Sequence, residues 1–69
     1  MKVKVKIDAL EFIPAYYPRE FTIYVEDGLS NNEILERVKK ELIARGLRNV
    51  TVKVYGENGL IARMGVYDI

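Results

Sequence analysis

From Lys2 to Ile7 the chain alternates strictly, with Lys2, Lys4 and Lys6 charged and Val3, Val5 and Ile7 apolar. A period of two marks a half-buried strand, because successive side chains point to opposite faces of a sheet. The pattern returns at Glu20 to Glu26, where Phe21, Ile23 and Val25 form the apolar set, and at Val50 to Tyr55, where three valines alternate with Thr51, Lys53 and Tyr55. A fourth strand is predicted over Leu60 to Val66. Between the second and third strands the period changes. In the stretch Leu29 to Leu47, Ile34, Leu35, Val38 and Leu42 form one apolar stripe, and Glu36, Arg37, Lys39, Lys40 and Arg45 face away from it. Ser30 and Glu33 have the spacing of a capping box, with Leu29 and Ile34 as its hydrophobic staple. Gly46 and Leu47 suit a Schellman stop.

Parity also tests the last turn, since directly opposed residues of an antiparallel pair share a face. A two-residue Asn58-Gly59 loop would set Val54 against Arg63 and put a charge in the core. A three-residue loop, Glu57-Asn58-Gly59, with Gly59 in the left-handed position of a bulge, pairs Val54 with Ala62, Val52 with Met64 and Val50 with Val66. The second is preferred. It makes Ile61, Arg63, Gly65 and Tyr67 the outward set.

The 69 residues make one domain over 1–69, with no repeat, linker or low-complexity tract. At this size only about 60% of the unfolded chain's surface can be buried, so a deep catalytic cleft is not expected. The composition, 49% hydrophobic and 30% charged, is that of an ordered globular protein. With a net charge of +1, affinity for nucleic acid or membrane would have to come from local arrangement. The chain holds no cysteine and no histidine, which removes disulfides, thiolate metal sites, thiol nucleophiles and imidazole acid–base chemistry. The N-terminus alternates instead of clustering apolar residues, and no run approaches a membrane span. A cytoplasmic protein without membrane contact is the expectation.

Strands and helix in the order ββαββ predict an α+β, two-layer domain: a four-stranded sheet packed on one helix, its other face left open. Placing the first and last strands side by side in parallel at the centre gives a mixed sheet of β-grasp type. Met1 to Ile7, the Glu26-Asp27-Gly28 approach and the Ile34-Leu35-x-x-Val38 helix resemble the first half of the small ubiquitin-like sulfur carriers of molybdopterin and thiamin synthesis. Those carriers act through a C-terminal Gly-Gly. This sequence reads Val66-Tyr67-Asp68-Ile69 there, so the resemblance speaks for the fold and against the carrier chemistry.

No catalytic residue, metal site or cofactor is predicted. Ser30 is the single serine and is assigned to the helix cap, and Gly56-Glu57-Asn58-Gly59 lacks the following helix that a phosphate loop needs. Two features point to binding. The connection Ala9 to Arg19 is long and apolar for a loop, and Leu10, Phe12, Ile13, Tyr16 and Tyr17 exceed what one helix can shelter. They are read partly as a fold-over of the open core and partly as a contact for a protein partner or a second copy of the chain. The other feature is the outer sheet face, where Lys4, Lys6, Lys53 and Arg63 interleave with Tyr24, Tyr55 and Tyr67. Cations for phosphates and rings for bases are what single-stranded nucleic acid recognition uses. Alternating lysines also simply keep a sheet soluble, and Glu20 and Glu26 are at hand to pair with them. The primary expectation is a non-enzymatic module binding protein through the loop and the outer face. The alternatives are a small nucleic-acid-binding protein and a degenerate relative of the sulfur carriers.

Overall fold

The computed structural model describes residues 1–10 and 18–67, of which 9 and 10 are described by their backbone alone. The elements run β1 (Lys2–Leu10), β2 (Glu20–Tyr24), α1 (Asn31–Ala44), β3 (Val50–Gly56) and β4 (Gly59–Val66). One helix lies on one face of a four-stranded sheet, so the α+β, two-layer arrangement and the ββαββ order are as expected. The sheet itself differs. Its order is β2-β1-β3-β4, and every neighbouring pair is antiparallel. The expected parallel pairing of the first and last strands is not formed, and with it goes the mixed, β-grasp-like sheet.

The physical reason lies in what each strand can bury. Val50, Val52 and Val54 are wholly buried, as a central strand requires. On β4, Ala62 and Met64 are only partly covered, Leu60 is exposed, and two glycines weaken the strand, which suits an edge. With β3 beside β1, strands β2 and β3 run in the same direction on either side of β1. The helix is the return crossover between them, and its 14 residues span about 21 Å at 1.5 Å per residue, enough to run the length of the sheet.

The helix ends are as the sequence reads. Glu33 N–H donates to Ser30 Oγ at 3.2 Å and Ser30 N–H to Glu33 Oε1 at 3.1 Å, closing the capping box. At the other end Leu47 N–H reaches Leu42 O at 2.9 Å and Gly46 N–H reaches Ile43 O at 2.9 Å, the two bonds of a Schellman motif, with Gly46 at φ 74°. Asn49, at φ 53°, then turns the chain into β3, a conformation asparagine tolerates better than most residues. Ile34, Val38 and Leu42 are buried against Val3, Val5, Ile7, Val25, Val50, Val52, Val54 and Val66. Arg37 grips Glu26 with both guanidinium nitrogens, tying the helix to the end of β2.

Two bulges set the register. Val50, Val52 and Val54 do face Val66, Met64 and Ala62. The parity is restored differently from expectation, however: Tyr55 pairs with Leu60 and Gly56 with Gly59, so the loop is Glu57-Asn58 and the extra residue is Ile61. Ile61 therefore turns to the helix side, where it packs on the core and contacts the place a Gly56 Cβ would occupy, instead of pointing outward. The second bulge is in β1, where Ile7 pairs with Val52 but Ala9 pairs with Thr51, leaving Asp8 as the extra residue.

Candidate binding face of the sheet

The face opposite the helix is built by period-two parity from all four strands. One row across it reads Glu20, Lys6, Lys53, Arg63, and the next reads Thr22, Lys4, Tyr55, Leu60. At about 4.8 Å between strands, Lys6, Lys53 and Arg63 form a line of cations about 10 Å long. Such opposition is unfavourable unless a counter-charge is supplied. The bulge supplies it: Asp8 reaches Lys53 Nζ at 3.9 Å with one oxygen and Arg63 Nη2 at 3.4 Å with the other. Glu20 bridges to Lys4 at 3.4 Å instead of to Lys6 directly opposite. Lys6 extends over the Tyr55 ring, 5.9 Å from its centroid, at the outer limit of a cation–π contact. The cations Lys2, Lys4, Lys6, Lys53 and Arg63 thus share this face with the carboxylates of Asp8 and Glu20 and, at its margin, Glu57, and the face stays positive.

The sequence-predicted residues do not make one cluster. Lys4, Lys6, Lys53, Tyr55 and Arg63 are brought together in the two rows, beside a shallow groove of about 320 Å³ bordered by Lys2, Lys4, Thr22, Tyr55, Gly56 and the Glu57 carboxylate. Tyr24 stands opposite Lys2 at one end of edge strand β2 and is 77% exposed. Tyr67 follows edge strand β4 at the other end and is 64% exposed. Leu60, 55% exposed beside Tyr55, adds an apolar element that was not foreseen.

Tyr67 is the best-fixed of the rings. Its hydroxyl lies 2.8 Å from Thr51 Oγ1 on β3, and its edge rests on Gly65, where a Cβ would fall 2.4 Å from Cε2 and 2.7 Å from Cζ and the hydroxyl oxygen. Gly65 is the partner of Thr51 in the β3–β4 register, so the ring lies across that pair.

Asp8, Thr51 and Gly65 were missed as site residues. The signal for Asp8 was present, because the apolar positions are odd-numbered at Val3, Val5 and Ile7 but even at Leu10, and Leu10 stands opposite Val50. Of the expected loop contact, Phe12, Ile13, Tyr16 and Tyr17 lie outside the described residues, and Leu10 is described by its backbone alone. Among the described residues no three His, Cys, Asp or Glu side chains come together as a metal site, and no helix is long and apolar enough to cross a membrane. Comparison with protein-family models, with characterised proteins and with solved structures finds no match to this chain.

Proposed function

We propose that this protein is a non-enzymatic binding module whose open sheet face takes single-stranded nucleic acid. The observation that carries this reading is the register: it sets Lys6, Lys53 and Arg63 in one line across the sheet, next to a row holding Lys4 and the Tyr55 ring. A line of cations tracks the phosphate backbone, and rings at the same level meet bases without demanding a particular one. Arg63 presents a fork of donors suited to phosphate oxygens, and the lysines act as point charges. The absence of histidine and cysteine from the sequence supports a binding role over catalysis.

Fluorescence anisotropy with a labelled single-stranded oligonucleotide at low salt tests it. Affinity should fall steeply as salt is added, and Lys53→Ala with Arg63→Ala should flatten the log–log slope by about 0.7 for each phosphate that is no longer neutralised. No binding at low salt overturns the reading.

A second reading, contact with a protein partner or a second copy, is favoured by the apolar connection that carries Leu10, Phe12, Ile13, Tyr16 and Tyr17. Replacing Tyr16 and Tyr17 together by serine should then leave folding stability within about 0.5 kcal/mol while removing the association. Sedimentation of the chain alone and denaturation of the double variant measure both. A stability loss of several kcal/mol would make these tyrosines core.

A further inference from the structure

We infer that Tyr67 is a fixed stacking platform for one base of the bound strand, and that Gly65 and Thr51 are the residues that hold it in place. The inference rests on the nucleic-acid reading above and names the part of the ligand this end of the face takes. An exposed tyrosine ordinarily samples several rotamers, and a base that stacks on it must first order it. Here the ordering is already done. The ring edge sits on the glycine backbone, nearer the sheet than any side chain at position 65 would allow, and the hydroxyl is tied to the neighbouring strand through Thr51 at 2.8 Å. The ring nevertheless remains 64% exposed, so it keeps surface to offer a ligand.

The placement relative to charge fits the same ligand. Gly65 is two residues beyond Arg63 on the same strand face, about 7 Å along β4. A base on the ring therefore puts its own backbone within reach of the Arg63 end of the cation row. A ring that merely covers a glycine would use the same contacts, and the test must separate the two roles.

The probes are a single-stranded DNA oligonucleotide carrying 2-aminopurine and an oligonucleotide of equal length and charge whose sites are abasic. The native protein should bind the base-containing strand roughly tenfold more tightly, the order of one stacking contact, and quench 2-aminopurine fluorescence. Tyr67→Leu removes the ring. Gly65→Ala keeps it but pushes it off the sheet. Both should lower the preference and the quenching by about one stacking contact, leaving only what the Tyr55 ring supplies, while the salt slope, set by the untouched cations, stays as it was. Tyr67→Phe, which keeps the ring and its seat on Gly65 but loses the tether to Thr51, should keep the quenching with a preference between those of the native protein and Tyr67→Leu. Equal binding of the two strands by the native protein, or a preference that survives undiminished in both folded variants, would leave Tyr67 a cover for Gly65 and overturn the inference. Binding of neither strand would overturn the nucleic-acid reading itself, and the stacking role with it.

Discussion

Replacing Asp8 by asparagine should weaken the fold and strengthen the binding, two effects of opposite sign from the removal of one charge. Asp8 is the only carboxylate among the described residues that touches both Lys53 and Arg63, at 3.9 and 3.4 Å. All three side chains are partly exposed, so each ion pair is worth only about 0.2–1 kcal/mol. The repulsion between the opposed Lys53 and Arg63 is present in both proteins and adds nothing to the difference; it is only no longer offset. The two lost pairs together amount to about 1 kcal/mol, a fall in Tm of about 4–8 °C for a domain of this size. At about 1 M salt, where the Debye length is near 3 Å, most of the difference should vanish.

The binding side follows from competition. In the native protein a phosphate must displace the Asp8 carboxylate from the two cations, and asparagine does not compete as an anion. A gain of about 1 kcal/mol corresponds to an affinity about five times higher at low salt, and the salt slope should steepen as the two cations take up phosphates. Thermal denaturation at low and high salt and anisotropy with a single-stranded oligonucleotide measure the two effects. Unchanged stability at low salt would mean that the ion pairs are not held in solution. Reduced stability with unchanged or weaker binding would mean that Lys53 and Arg63 do not meet the ligand.

Three further outcomes test the frame that presents this face. Gly46→Ala should destabilise the domain by about 1 kcal/mol, since a Cβ there meets no neighbour and the whole penalty comes from the positive φ; a neutral result in urea would refute the cap. The Glu26 carboxyl is held below its ordinary value of about 4.5, first by a backbone hydrogen bond and then by Arg37. Its contribution is therefore present above the unfolded pKa and lost as pH falls through the lowered folded one, and Glu26→Gln should flatten the acid limb of the stability curve, read by denaturation between about pH 2 and 6. Cysteines at Lys6 and Lys53, directly opposed in the sheet, should form a disulfide on oxidation, whereas with β4 between β1 and β3 the strands would stand about 10 Å apart and no bridge could close.

Local features of the sequence were read well because each rests on neighbours a few residues apart. The capping box at Ser30 and Glu33, the Schellman stop at Gly46 and Leu47, and the pairing of Val50, Val52 and Val54 with Val66, Met64 and Ala62 follow from spacing and parity alone. Strand order is not local. Joining two hairpins through a central parallel pair was one solution among several, and the signal that excluded it was quantitative: three valines fit for full burial on β3, against an alanine, a methionine and two glycines on β4. Of the candidate face, the cations and rings were legible from period two, but their neutralisation was not. A bulge breaks the period, and parity carried past Ile7 assigns Asp8 without the bulge that sets its register.

The two bulges explain why the same strand, β3, can be fully buried on one side and carry a row of charge on the other. Ile61, the extra residue on β4, adds an apolar side chain to the helix face over Gly56, where β3 has none of its own. Asp8, the extra residue on β1, adds a carboxylate to the outer face between Lys53 and Arg63. On β4 the bulge thus gives the helix face a side chain that strict alternation would turn outward, whereas on β1 Asp8 keeps the outward parity of Lys2, Lys4 and Lys6 and the bulge shifts the register of Ala9 and Leu10. A sheet that needed only solubility could have met the Lys53–Arg63 conflict by giving one of those positions a neutral residue. Keeping both cations and holding them with a partly exposed carboxylate leaves a charge pair that an incoming anion can take over, and for that reason the Asp8→Asn experiment bears on function as well as on stability.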